Sequence, residues 1–169
     1  NSGAKTYLSV IPDKNTFLTS QNGYPDKDYK ALVKRLQDRF PQAKYIDISK
    51  MLSADDFYYT DSHWRQEKIL KVADEIVKKM GAEPIGKCET HDTGIPFYGV
   101  YYGQSALPHA SEPLRYLNNF VIRSLRVYNV ETASEIPVYD LKAAAGRDPY
   151  EMFLGGARSI ISLTNPNAK

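Results

Sequence analysis

Cysteine is nearly absent from this chain. Cys88 stands alone, so no disulfide can close within it. That suits a cytosolic protein and equally a secreted bacterial one that does without disulfides. Long apolar runs are missing as well: nothing approaches the roughly 20 residues of a membrane-spanning helix, and no signal peptide is evident. A processed or trimmed chain would look the same. Excess charge of one sign is also lacking, with 22 Lys and Arg scattered among 20 Asp and Glu. Without a basic stripe, a nucleic-acid partner is set aside. No internal repeat, low-complexity stretch or linker interrupts the sequence, so residues 1–169 read as a single domain long enough to bury a core.

What remains is ordinary globular composition, 42% hydrophobic and 25% charged, which argues against wholesale disorder. The one skew is aromatic, with 13 Tyr against 6 Phe and a single Trp. Tyrosine-rich surfaces suit sugar stacking, and they also suit half-buried strands.

Along the first half, "KTYLSVIP" (5–12) is a β-type run closed by Pro12. From Asp26 the apolar spacing changes to the helical period, with Tyr29, Leu32, Val33, Leu36 and Phe40 on one face and a stop before Pro41. "KYIDIS" (44–49) is a second short strand. A further helix is marked by Ile69, Leu70, Ala73, Ile76, Val77 and Met80, with Gly81 placed as a left-handed cap and Lys78 and Lys79 in the last turn. The β-α-β-α order predicts a mainly parallel central sheet flanked by helices. The second half is less regular. Strand and loop are expected over 94–108, a helix over 111–123, strands over 125–130, 136–141 and 158–163, and a brief helix over 148–156.

The segment "YYTDSHWRQE" (58–67) carries the chemistry. If a helix starts near residue 62, then Thr60, Asp61 or Ser62 is its N-cap, with His63 and Trp64 in the first turn. The helix terminus would hold the Asp61 carboxylate as the anion. Asp61 can then grip one imidazole nitrogen of His63, leaving the other to accept a proton from a hydroxyl nucleophile. Asp-x-His by itself is common by chance, and taken alone it favours a helix cap beside an incidental histidine.

Four stretches taken together alter that balance: "VIPDKNTFL" (10–18), "FYYTDSHWRQEKIL" (57–70), "PFYGVYYGQSA" (96–106) and "RDPYEMFLGG" (147–156). In order and spacing they resemble the DHHW family, bacterial cell-surface proteins with an SGNH (GDSL) hydrolase-like fold. These are similar to the O-acetyltransferases that decorate exopolysaccharides such as alginate. The resemblance spans nearly the whole chain. The family's Thr-Asp-His-His-Trp here has Ser62 for its first histidine, while Asp61 and His63 match the orienting acid and the general base. Trp64 matches the tryptophan, expected to pack the helix start. The family's "FLGGN" ends in Ala157, which puts a polar role at that position in doubt.

In the resembled acyltransferases the nucleophilic serine lies in an Asp-Ser block after a further strand, which would be expected to begin where this chain stops at Lys169. Ser105 in "GQSA" and Ser159 in "GGARS" do not follow a strand in the sharp turn that exposes a nucleophile. The expected fold is therefore α/β, SGNH-hydrolase-like and incomplete. The resemblance implies a cell-surface O-acyltransferase or esterase acting on acetylated polysaccharide, using Asp61 and His63 with a serine outside the chain. This chain alone would be inactive. The alternative is a non-catalytic extracellular carbohydrate-binding or scaffold domain that keeps the fold.

A polysaccharide or acyl-ester substrate, an extracellular or envelope location and a membrane-bound acyl-donor partner follow from the resemblance. A strand-swapped homodimer would supply a missing strand from a second copy. No cofactor and no metal are expected: Cys88 and His91 in "CETHD" are half of a zinc spacing with no second pair, and His109 is the remaining histidine. The glycines do not form a phosphate loop. Lys14 could face the sheet edge where ligands gather in α/β folds, although a solvated turn lysine is commoner. Tyr58 and Tyr59 could wall a sugar site or pack beneath the helix. Residues 112–126 could dock a partner, with core packing as the default.

Overall fold

The computed structural model describes residues 3–168, which divide into two compact units: residues 3–58, 62–64 and 68–84, and residues 59–61, 65–67 and 85–168.

In the first unit, β1 (Tyr7–Leu8) pairs in parallel with β2 (Lys44–Tyr45), Tyr7 opposite Lys44 and Leu8 opposite Tyr45. A 3-10 turn (Lys14–Phe17), α1 (Thr19–Asn22) and α2 (Tyr29–Arg39) connect the strands. Asp28 caps α2 by accepting from the Ala31 amide at 2.9 Å, and Phe40 closes it ahead of Pro41. Past β2 the chain buries Ile46 and Ile48, which pack with Leu52 and Val72. Val72 lies on α3 (Leu70–Met80), and Ile69, Ile76 and Trp64 close the cluster. The predicted cap at Gly81 is present: its φ is 83°, and the Ala82 amide donates to the Val77 carbonyl at 3.0 Å. On α2, Leu32 and Phe40 are exposed instead of lining a buried face.

The expected mainly parallel, SGNH-hydrolase-like central sheet is not what the described residues form. Their one parallel ladder is the two-residue pair β1–β2, and the remaining sheets are antiparallel. The ladder is short for local reasons. Ser9 Oγ donates to the Ile46 carbonyl at 2.8 Å, occupying the acceptor just past the last paired residues. After Ile46 the Asp47 carboxylate caps the Ser49 amide at 2.9 Å, turning the backbone out of pairing.

In the second unit, β3 (Glu89–Phe97) and β4 (Glu112–Asn118) pair antiparallel, with an irregularity between Asp92 and Pro96. The helix expected over 111–123 is instead mostly strand. Glu112, Leu114 and Leu117 face inward, and the helical part is confined to α5 (Phe120–Ser124), capped by Asn119. Alternation at Glu112 and Leu114 outweighed helix-compatible composition. α4 (Val100–Ser105) follows β3. A three-stranded antiparallel sheet runs β6 (Ser134–Ile136), β5 (Arg126–Asn129), β7 (Ile161–Thr164); β5 and β7 overlap the strands expected over 125–130 and 158–163, whereas β6 shares only Ile136 with the strand expected over 136–141. The 148–156 segment forms a 3-10 turn at Pro149–Met152. Phe97, Leu114, Leu117, Val127, Ala144 and Met152 are buried, and Tyr139, Tyr150 and Phe153 form an aromatic chain among them.

Candidate active site

The TDSHW segment is a turn and does not begin a helix. In the first unit Phe57 and Trp64 form an isolated antiparallel bridge, and the Tyr58 amide donates to the His63 carbonyl at 3.1 Å. Phe57 and Trp64 meet edge to face at 6.3 Å, with Phe17 on the other side of Phe57 at 5.8 Å. Trp64 is thus a packing residue. Helix α3 begins only at Leu70, with Ile69 at its N-cap position and no side-chain cap. The expected cap at Thr60, Asp61 or Ser62 is therefore corrected, and with it the helix-dipole stabilisation of Asp61. The helical stripe starts at Ile69; before it the chain forms the Phe57–Trp64 bridge and then a 3-10 turn at Gln66–Lys68.

His63 is exposed and Tyr58 is fully buried, so Tyr58 packs and does not wall a cleft. The Lys14 ammonium donates to the Tyr58 carbonyl at 2.7 Å, which makes it a brace for this turn and not a solvated lysine.

In the second unit, Asp61 is 3% exposed. Its Oδ2 accepts from the Val100 amide at 3.0 Å, and the Tyr101 amide donates to the Thr60 carbonyl at 2.9 Å. Thr60 Oγ1 accepts from the Gly99 amide at 2.9 Å and donates to Glu112 Oε2 at 3.2 Å. Glu112, 9% exposed, also accepts from the Tyr59 amide at 2.8 Å, the Thr60 amide at 3.0 Å and Arg65 Nη2 at 2.7 Å. A buried carboxylate is tolerable with this many donors and a guanidinium counter-charge. Gly99 has an ordinary extended backbone, but a Cβ there would run into the Thr60 carbonyl and the Asp61 side chain.

Tyr150 belongs to the same surroundings. Burial pushes its phenol up to about 12, with the charges of Asp61 and Asp148 adding to the effect. Sequence reasoning missed Glu112, Gly99 and Tyr150 as members of this assembly. Glu112 sits in an unremarkable polar-apolar run, whereas Gly99 and Tyr150 lie in motifs that had been quoted without assigned roles.

The other candidates separate from it. Ser105 Oγ donates to the Tyr102 carbonyl at 3.4 Å and accepts from the Leu107 amide at 3.3 Å. Ser159 Oγ donates to Glu131 at 2.6 Å. His91 stacks on Tyr116 at 5.3 Å and lies 3.4 Å from Glu89, while Asn119 donates to Cys88 Sγ at 3.3 Å. Among the described residues no three His, Cys, Asp or Glu are grouped to hold a metal ion. His109 meets exposed Tyr59 edge-on at 5.4 Å.

No protein-family profile matches the sequence, and no curated protein does either. Solved structures do match. A DHHW family protein from Eubacterium siraeum superposes with a TM-score of 0.68 at 15% identity, over 99% of this chain and 60% of that one. Bacillus cereus PatB1 with a sulfonyl adduct gives 0.71 at 17% identity, over 98% of this chain and 62% of that one. A second PatB1 structure gives 0.65 at 18%, over 98% and 63%. The chain has their fold. It spans about three-fifths of their length.

Proposed function

We propose that this protein is of the DHHW kind and serves acyl-ester chemistry on polysaccharide outside the cytoplasm, as an O-acyltransferase or esterase. The observation that carries the reading is Asp61: a buried carboxylate fixed by the Val100 amide, two residues before an exposed histidine. A carboxylate so held is fixed in place and can accept from an imidazole N–H. Asp61 would then set the His63 tautomer and stabilise the imidazolium. The far nitrogen of His63 would take the proton of a serine hydroxyl as that oxygen attacks the acyl carbon, and would hand it to the donor's departing oxygen as the donor ester C–O bond breaks. A sugar hydroxyl or water would then give its proton to His63 as it attacks the acyl-serine, and His63 would return that proton to the departing serine oxygen.

The fold shared with a DHHW protein and with PatB1 supports this reading. A sulfonyl electrophile leaves its sulfonyl group on an activated nucleophile that displaces its leaving group, and PatB1 has been solved with such an adduct. The serine is proposed to lie outside residues 1–169, since Ser105 and Ser159 are engaged in local hydrogen bonds. A membrane-bound acyl donor and an envelope location belong to the same proposal.

The test uses the full product of the gene, a sulfonyl fluoride probe and 4-nitrophenyl acetate. Labelling and turnover by the full product, both lost in His63→Ala, are expected, with neither shown by residues 1–169 alone. Undiminished labelling of His63→Ala would end the triad reading. Turnover by residues 1–169 that depends on His63 would place the serine within the chain.

A second reading, a non-catalytic carbohydrate-binding domain, is favoured by the exposed rings of Tyr59, Tyr98, Tyr101 and Tyr102. Binding of glycan without labelling of the full product would select it.

A further inference from the structure

The second unit holds a cavity of about 540 Å³ that the proposed chemistry does not use. It falls within the roughly 300–1,000 Å³ typical of small-ligand sites. Its walls combine two kinds of side chain. Tyr98 and Tyr102, 43% and 36% exposed, lie with ring centroids 4.7 Å apart and planes inclined at 44°. Around them stand Gln104, Arg147, Asp148 and Glu151.

Large aromatic faces are costly to leave in water, and a monomer's surface usually covers them. A pair presented beside a ring of donors and acceptors fits a ligand that is apolar on one face and hydroxylated round its edge. A pyranose ring has that form: axial C–H groups on a face and hydroxyls at the rim. Tyrosine suits it because its ring stacks and its hydroxyl hydrogen-bonds. The rim is also partly ordered. Asp148 Oδ1 accepts from the Tyr150 amide at 3.0 Å, so that carboxylate is fixed before anything binds.

Position adds to the argument. Gly99 and Val100 line this cavity, and through their other sides the Gly99 amide donates to Thr60 Oγ1 and the Val100 amide to Asp61. A ring seated on Tyr98 and Tyr102 would therefore lie one backbone thickness from the proposed orienting carboxylate.

Charge decides which sugar. The rim carries one guanidinium and two carboxylates, a net charge of one negative. A polyuronate would meet like charge, which costs affinity, whereas a neutral hexose or N-acetylhexosamine would find Arg147, Asp148 and Glu151 as hydroxyl partners.

We propose that Tyr98 and Tyr102, with Gln104, Arg147, Asp148 and Glu151, form a saccharide subsite selective for neutral or N-acetylated sugar units over uronates. The proposal deepens the acyl-transfer reading and rests on it for the class of substrate.

The experiment titrates the full gene product carrying His63→Ala, which separates binding from turnover. Calorimetry at fixed ionic strength compares β-1,4-linked N-acetylglucosamine and glucose tetramers with a tetrameric uronate. Binding of a neutral tetramer, weakened about tenfold or more in Tyr98→Ala and Tyr102→Ala and retained in Tyr98→Phe, is the expected result. Arg147→Ala should weaken it likewise. Affinity unchanged in both alanine variants, stronger binding of the uronate, or no binding of any tetramer would overturn the subsite. Neutral glycan bound as expected with no acyl transfer by the unmutated protein would leave the subsite standing and remove the enzymatic reading. Acyl transfer insensitive to Tyr98→Ala and Tyr102→Ala would do the reverse.

Discussion

Gly99 lies against Asp61 with no room for a side chain between them: a Cβ at 99 would come within 2.6 Å of Asp61 Oδ2 and still closer to the Thr60 carbonyl. Because the backbone at Gly99 is extended (φ −78°, ψ −179°), any residue satisfies its torsions, and space alone demands glycine. Gly99→Ala should therefore cost about 1–3 kcal/mol, the usual toll of forcing a methyl group into filled space. Urea unfolding of the variant reads this directly, and an unchanged midpoint would mean that the contact is not maintained in solution.

Glu112 holds the Tyr59–Asp61 backbone by accepting from two amides and the Thr60 hydroxyl while facing Arg65 at 2.7 Å. Removing the carboxylate takes a close counter-charge from a partly buried guanidinium and an acceptor from the Thr60 amide and hydroxyl, so Glu112→Ala should destabilise by about 3–5 kcal/mol. Glu112→Gln, which keeps one carbonyl acceptor, should fall between that and the wild type. Equal stability of all three proteins would show that water replaces Glu112 without cost.

Asp61→Asn keeps an oxygen able to accept from the Val100 amide, so its fold should persist. It loses the negative charge that would stabilise an imidazolium at His63. In the full gene product kcat for acetate-ester turnover should fall about a hundredfold or more, with melting temperature little changed. A kcat within twofold of wild type would exclude Asp61 as the orienting acid.

The Tyr150 phenol, raised to about 12 by burial and by Asp61 and Asp148, carries a signed pH dependence. Below about pH 10 both folded and unfolded chains keep the proton, and stability is unaffected by this group. Between about 10 and 12 only the folded chain keeps it, so stability falls as pH rises through that window. The tyrosinate absorbance of wild type minus Tyr150→Phe should show one phenol ionising near pH 12. A difference curve centred near pH 10 would place the ring in water.

Helical periodicity was legible where one face repeats without competition. The stripe from Ile69 to Met80 and the cap at Gly81 appear as Leu70–Met80 followed by a left-handed glycine. Residues 111–123 were misread because Leu114, Tyr116, Leu117 and Phe120 satisfy a helical count, whereas pairing with β3 turned Glu112 and Leu114 inward as strand positions. The parallel sheet was inferred from element order. Element order says nothing of how many residues pair, and the Ser9 hydroxyl on the Ile46 carbonyl and the Asp47 turn end the β1–β2 ladder after two.

For the candidate site, Asp61 and His63 were found because they are two residues apart in one motif. Glu112 and Gly99 were not, since their hydrogen bonds to Tyr59 and Thr60 cross 39 to 53 positions, and such separations leave no local pattern. Taken alone, the chain determined α2, α3, the left-handed cap at Gly81 and the residue types available for proton transfer, because those depend on neighbours within a turn or two. Only the tertiary structure decided that TDSHW is a turn and not a helix start, that Glu112 is buried, and that Gly99 abuts Asp61. Each of these rests on excluded volume and donor–acceptor pairing between segments far apart along the backbone, which no local period encodes.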